Sequence, residues 1–219
     1  MYILEGNIGA GKTTFLHLLE KALPTVSVGY EPVDDWQHKV HGQSLLANFY
    51  TNPHRWAYSM ETFTMLSRVR DHLRDQEWPS PQRIIERSIY SGYYCFALNS
   101  YRSNFLIPLE WEMYRAWFNF LIPGKCKPPR GFIYLRVTPP VAYNRIKKRS
   151  RSAESTIPLA YLEQIHQTHE DFLIHKKDVL PEIKDTPVLV LDCDQDFEHN
   201  PAVFQAMVQQ VKTFIEQTL

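Results

Sequence analysis

Cysteine is scarce in this chain, with 3 among 219 residues. Cys95, Cys126 and Cys193 are far apart and odd in number. That excludes a disulfide framework and a clustered zinc ligand set. They read as reduced thiols in a reducing compartment. Excess charge is lacking too, since Lys plus Arg and Asp plus Glu both number 24. Such balance argues against a nucleic-acid coat and against a polybasic membrane binder, though it leaves room for a local basic cluster. No apolar run approaches the ~20 residues that span a bilayer. The first residues form neither a charged n-region nor an apolar h-region. A cytoplasmic protein, with no membrane and no nucleic acid among its partners, is the expectation. There is no internal repeat, low-complexity tract or domain linker. Hydrophobic residues are 44% of the chain, enough for a real core. We expect a single domain over residues 1–219.

Periodicity sets out the order of elements. Residues 2–5 (YILE) form a short apolar run that ends at Gly6. From 13 to 23 the apolar positions follow a helical repeat, with Pro24 marking the stop. VSVGY (26–30) reads as a strand. Residues 45 to about 78 read as helix, interrupted at Asn52-Pro53, where Pro53 suits a first turn. RIIE (83–86), GFIYLRV (131–137) and VLVLD (188–192) read as strands. Helices are expected at 91–101, 108–122, about 140–149, 158–180 and 200–218. Strands alternating with helices imply an α/β fold, a parallel sheet with helices on both faces.

The stretch GNIGAGKTT (6–14) carries the clearest chemistry. Gly6, Gly11, Lys12 and Thr13 complete the pattern G-x-x-x-x-G-K-[ST], with a strand before it and a helix after it. In such a P-loop the backbone N–H groups of Gly6, Asn7, Ile8, Gly9, Ala10, Gly11, Lys12, Thr13 and Thr14 turn toward a polyphosphate. The helix N-terminus adds partial positive charge. Lys12 reaches the outer phosphates, and the Thr13 hydroxyl suits Mg²⁺. This defines a nucleoside-triphosphate site and leaves the acceptor open. There is no N-K-x-D or D-x-x-G pattern of a GTPase. An acid ends RIIE, so Glu86 is a second Mg²⁺ candidate, but that alone does not separate an NTPase from a kinase.

Other candidates are weaker one by one. Glu31, in EPVDDW, ends the second strand, where a carboxylate is placed to take a proton from an attacking hydroxyl. A surface acid before a rigid proline is the plainer reading. Arg87, in ERS (86–88), is either a partner that keeps such a base ionised or half of a structural ion pair. RIKKRSRSAES (145–155) holds five basic residues, Arg145, Lys147, Lys148, Arg149 and Arg151. They read either as the solvated end of a helix or as a basic lid over about 145–156 that clamps phosphates. HQTHE (166–170) sets two histidines three apart with no third ligand near, a poor metal site. Trp36, Tyr50, Trp56, Tyr58 and Phe63 either line a base pocket or belong to the core.

Taken in order, GNIGAGKTT, EPVDDW, YTNPHRW, ERSIYSGYYCF, YLRVTPPVAYNRI, KRSRSAES, PLAYLEQIHQTHEDFLIHKK and VLVLD resemble the deoxyribonucleoside kinase family over nearly the whole chain. The resemblance implies a P-loop NTPase-type sheet of five parallel strands with a basic lid. It implies phosphorylation of a deoxynucleoside at its 5′-hydroxyl by ATP or another NTP with Mg²⁺. In that reading Glu31 is the general base, and Arg87 steadies it and the 5′-oxygen. Glu86 is associated with Mg²⁺. Tyr50 and Glu154 bind the sugar 3′-hydroxyl. Arg145, Arg149 and Arg151 are lid arginines, and Trp36 and Phe96 are pocket walls. The family also suggests a homodimer and feedback by an end-product dNTP. A nucleoside-monophosphate kinase and a non-catalytic ATP-binding regulator are the alternatives.

One departure from the family pattern bears on the base. Glu61, in RWAYSMETF, stands where the family has a glutamine. A glutamine amide both donates and accepts, whereas an ionised glutamate only accepts. Thymine would then present a carbonyl to the carboxylate. Cytosine, adenine and guanine all have amino groups to give, so dC or a purine deoxynucleoside is expected over dT. Arg68 matches an arginine of the cytidine- and purine-preferring members, and the aspartate that partners it there corresponds to Gly92. Glu61 lies seven residues before Arg68 on one helix face, and we expect it to replace that partner; the plainer alternative is a Glu61 that is protonated or turned outward, with broad selectivity.

Overall fold

The computed structural model describes residues 1–32, 41, 43–149 and 156–219. Trp36, Arg151 and Glu154 lie outside the described residues. The five strands are β1 (Tyr2–Gly6), β2 (Ser27–Gly29), β3 (Arg83–Glu86), β4 (Gly131–Arg136) and β5 (Val188–Asp192). They pair in the order β2-β3-β1-β4-β5, all parallel. The central strand β1 is buried along its whole length, and β4 everywhere but at Arg136. Strands covered on both faces carry continuous apolar runs, and YILE and GFIYL are such runs.

Alternate residues of these strands feed two cores. Ile3, Ile85, Phe132 and Tyr134 point to one cluster, whereas Tyr2, Leu4, Ile84, Ile133 and Leu135 point to another. That is the period-two alternation of a pleated strand. The second cluster is closed by α1 (Lys12–Ala22), through Phe15, Leu16 and Leu19, and by the last helix (Pro201–Thr218). Truncating a fully buried Leu16 to Ala there would cost about 2–5 kcal/mol.

The first cluster is closed by α2 (Leu45–Thr51), α3 (Pro53–Asp75) and the helices after β3. Asn52 separates α2 from α3, as the sequence implies. Its side chain accepts from the N–H of Arg55 at 3.3 Å, and Pro53 opens α3. After β3 come α4 (Ile89–Ser91), a π-helical segment (Gly92–Ala97) and α5 (Leu98–Arg102). Then follow α6 (Pro108–Leu121), α7 (Pro139–Arg149) and α8 (Leu159–His169). The helix expected to reach 180 ends earlier. A π-helical segment (Glu170–Ile174) extends α8, then Lys176 and Asp178 take φ of 50° and 52°. A left-handed residue cannot carry a right-handed helix forward. A short α9 (Pro181–Lys184) leads into β5, and α10 (Pro201–Thr218) ends the chain.

After β3 the chain crosses to the other side of β1 to form β4. The crevice for ligands in an open parallel sheet lies beyond the carboxyl ends of the strands at such a switch. The loop after β1, the residues after β2 and the end of β3 all emerge there.

Candidate active site

The loop between β1 and α1 is shaped by glycine and by contacts from α7 and the loop after β5. Gly9 and Gly11 have φ of 81° and 88°. A Cβ on Gly9 would meet the Ala142 carbonyl at 2.5 Å, and one on Gly11 would meet the Phe197 ring at 2.8 Å. Neither position tolerates a side chain. The Asn7 side chain donates to the Leu162 carbonyl at 2.9 Å and accepts from the Ile8 N–H at 2.8 Å, which ties the loop to α8. Lys12 curls back, its Nζ donating to the carbonyls of Asn7 at 2.9 Å and Gly6 at 3.2 Å. Burial lowers its pKa to about 7, and the nearby Arg87 charge adds to the effect.

Register brings the next groups together. Gly29 of β2 pairs with Ile85 of β3. Glu31 and Arg87 each follow two residues later, so they emerge side by side. Arg87 Nε donates to Glu31 Oε2 at 3.1 Å, and Arg68 Nη2, from α3, donates to Oε1 at 2.6 Å. Glu31 is buried, which by itself would raise its pKa. Arg87, Arg68 and Lys12 outweigh burial and hold it below the ordinary carboxylate value. Arg87 adopts φ 63° and its own N–H bonds to the Leu4 carbonyl at 2.8 Å. Such a conformation costs of order 1 kcal/mol and persists only where contacts fix it. Phe96 supplies one, with Arg87 4.7 Å and Arg68 5.7 Å from its ring centre.

Thr13 and Glu86 also meet. The Thr13 hydroxyl donates to the Glu86 carboxylate, 3.0 Å from each oxygen. Burial raises the Glu86 pKa; Lys12 lowers it and Glu31 raises it further. A hydroxyl and a carboxylate together are hard oxygen donors, and a divalent cation would relieve the buried charge, so the pair fits Mg²⁺. Among the described residues no group of three or more His, Cys, Asp or Glu forms a metal site.

These side chains line one cleft. It holds Lys12, Thr13, Glu31, Glu86, Arg87, Tyr50, Phe96, Arg68, Glu61 and Arg149. Glu61 is 4% exposed, and its Oε1 accepts from the Ser100 hydroxyl at 2.8 Å. Burial raises its pKa to about 7, against smaller opposing effects of Ser100 and Arg68. The expected pairing of Glu61 with Arg68 is not formed, because Arg68 turns to Glu31. Gly92 permits that turn, since a Cβ there would lie 2.8 Å from Arg68 Nη1.

A second, open cleft lies on the other side of the loop, lined by Gly9, Gly11, Thr14, Arg145, Arg149 and Phe197 among others. Gly9 and Arg149 line both clefts. Arg145 is turned away from the first cleft. Its Nη2 donates to the Gln195 carbonyl at 3.1 Å and its guanidinium lies 6.0 Å from the Phe197 ring centre. Sequence reading missed Ser100, Tyr161 and the DCDQDFEH loop after β5. The loop's position past a strand's carboxyl end was the signal; Ser100 and Tyr161 gave none.

Fold and loop together define a P-loop nucleotide-binding protein of the α/β class. The profile of the Deoxynucleoside kinase family matches residues 2–216. Mitochondrial deoxyguanosine kinase of Xenopus laevis is 34% identical over 97% of this chain and 88% of its own length. Deoxycytidine kinase of Mus musculus is also 34% identical, over 97% of this chain and 89% of its own length. Mitochondrial thymidine kinase 2 of Homo sapiens is 37% identical over 92% of this chain and 74% of its own length. The chain belongs to the deoxynucleoside kinase family, and it is a phosphotransferase.

Proposed function

We propose that this protein transfers the terminal phosphoryl group of ATP, or of another nucleoside triphosphate, to the 5′-hydroxyl of a deoxynucleoside for nucleotide salvage. The observation that carries the reading is a cleft in which an ionised carboxylate, Glu31, lies beside the P-loop lysine and is gripped by two arginines. An acceptor hydroxyl in that cleft meets a base on one side and a phosphate cradle on the other.

In this mechanism Glu31 accepts the 5′-hydroxyl proton as the oxygen attacks. Arg87 fixes the carboxylate and faces the same oxygen. Lys12 leaves its two backbone carbonyls for the phosphates. Arg149, placed where both clefts meet, follows the charge as it moves. Thr13 and Glu86 would hold Mg²⁺, which when bound neutralises charge on the phosphate oxygens. Tyr50 and Glu154 hold the sugar 3′-hydroxyl, Trp36 and Phe96 wall the nucleoside, and Arg151 joins the lid arginines. Phe197 and Arg145 make a stacking surface for the donor base. The base preference favours dC or a purine over dT, with Glu61, Arg68 and Gly92 shaping that end of the cleft.

Ile8, Gly9 and Lys12 of the phosphate loop line the acceptor cleft itself, which supports feedback by an end-product dNTP. Leu109, Met113, Trp117 and Phe120 share one exposed face of α6, and Phe63 and Leu66 of α3 are exposed as well. A stripe of that size supports a homodimer. No helix among the described residues is long and apolar enough to cross a membrane. Three buried free thiols suit a cytoplasmic protein, and we read residues 1–219 as one kinase domain.

The test is initial rates with ATP and Mg²⁺ against dC, dA, dG and dT, with dCMP and dTMP as controls and Glu31→Gln beside the wild type. Monophosphate formed from deoxynucleosides, lost by ~10²–10⁴-fold in the variant, is the expected result. Turnover of the monophosphates alone would make it a nucleoside-monophosphate kinase. ATP binding without any turnover would make it a regulator.

A further inference from the structure

Glu61 is the buried titratable group of the cleft that the phosphoryl-transfer chemistry does not use. It sits on α3 with Arg68, facing Tyr114 of α6 and Tyr161 of α8, both of which feel its charge. Among the described residues it forms no ion pair, because the one nearby cation it feels, Arg68, is bonded to Glu31. The other charged groups lining the cleft are Lys12, Glu31, Glu86, Arg87 and Arg149. Ser100 of α5 contributes a single O–H, fixed on Oε1. One hydroxyl is poor compensation for a buried carboxylate, which takes up a proton unless a partner charge is supplied. The two forms of Glu61 differ in what they offer a ligand. The acid has one donating and one accepting oxygen, whereas the carboxylate has two acceptors.

Nucleobase edges divide along the same line. Cytosine and adenine set a ring nitrogen acceptor beside an amino donor, which matches the acid; thymine, with a carbonyl beside a ring N–H, matches the acid too and is disfavoured only by the carboxylate. Guanine sets a ring N–H beside an amino group, two donors in a row, which matches the carboxylate. We propose that Glu61 is a proton-dependent base selector, pairing with cytosine or adenine as the un-ionised acid and with guanine as the carboxylate. In the first pairing the Oε2 hydroxyl donates to the ring nitrogen, and Oε1 accepts from the amino group with the lone pair that Ser100 leaves free. In the second each oxygen accepts one N–H. The selection involves no change in the transferring groups, and it rests on the deoxynucleoside kinase reading given above.

The experiment is a competition. Wild type, Glu61→Gln and Ser100→Ala proteins are each given equimolar dG and dC with ATP and Mg²⁺, from about pH 6 to about pH 8. The ratio of dGMP to dCMP formed cancels every pH effect on the shared machinery. In the wild type the ratio rises at least ~10-fold across the range, about one decade for a single hydrogen bond exchanged for a repulsion. In Glu61→Gln, whose amide does not titrate, it stays flat within about twofold. In Ser100→Ala, which lacks the donor favouring the carboxylate, the midpoint moves to higher pH. A flat wild-type ratio, a slope retained by Glu61→Gln, or an unmoved midpoint in Ser100→Ala overturns the selector and leaves the kinase standing. No monophosphate from either nucleoside at any pH overturns the kinase reading, and the selector falls with it.

Discussion

Arg68 grips Glu31, its Nη2 standing 2.6 Å from Oε1. The two residues are 37 positions apart and come from α3 and the end of β2. The guanidinium packs directly over Gly92, where a Cβ would lie 2.8 Å from Arg68 Nη1. A carboxylate held by two guanidinium groups stays ionised to lower pH than one held by a single group. Arg68 is thus a determinant of the charge on the proposed base, and not of the base pocket alone.

Replacing Arg68 with Met leaves burial of Glu31 less opposed, so its pKa rises. Glu31 works as the ionised form, and activity is lost as pH falls through its pKa. The acid limb of the kcat/KM profile therefore moves to higher pH. A profile with its acid limb unmoved would show that Arg87 and Lys12 suffice.

Lys12 gives a proton balance on nucleotide binding. In the ligand-free protein burial holds its pKa at about 7, so above that pH much of it is neutral. Triphosphate oxygens favour the ammonium form. Titration calorimetry at about pH 8, in buffers of different ionisation heat, should show uptake approaching one proton per ATP. Uptake should fade at about pH 6, where Lys12 already carries its proton. Lys12→Arg, whose guanidinium does not titrate, should show none. Equal uptake at both pH values would place the proton elsewhere.

The exposed stripe on α6 predicts the oligomeric state. Leu109 and Phe120 are 67% and 61% exposed, more than most apolar side chains of their size. Burying such a pair against a second copy gains roughly 1.5–3 kcal/mol per side chain. Leu109→Glu combined with Phe120→Glu should yield a monomer in sedimentation velocity while leaving the far-ultraviolet circular dichroism unchanged. A wild type that is itself monomeric at micromolar concentration would remove the dimer.

The sheet was readable from sequence because each strand is bounded by its own composition. YILE, RIIE, GFIYLR and VLVLD are short apolar runs ending in glycine or charge, and each forms a strand at those residues. The P-loop is local, and its geometry follows from adjacent residues. Contacts between distant residues were not readable in the same way. That Glu31 would meet Arg87 depends on β2 lying next to β3 in one register. Spacing put Glu61 and Arg68 on one helix face without saying which way each side chain turns, and the structure sends them to Ser100 and Glu31. Ser100 lies in a helix whose neighbours give no hint of a cleft.

Glu61 also predicts how stability depends on pH. Its pKa is about 7 folded and near 4.5 in an unfolded chain. A raised carboxyl pKa means that the folded state binds the proton more tightly than the unfolded state does. The corresponding stability is present below about pH 4.5 and is lost as pH rises toward 7. Above that window the wild type carries a burial penalty of up to about 3 kcal/mol that a neutral amide does not. Glu61→Gln should therefore raise Tm at about pH 8 by several degrees and change it little at about pH 5. The difference between the two pH values is what matters, since a pure packing effect would shift Tm equally at both. An equal shift would mean that the Glu61 carboxyl is ionised in the folded protein throughout, and the cleft would then have only one base-reading form.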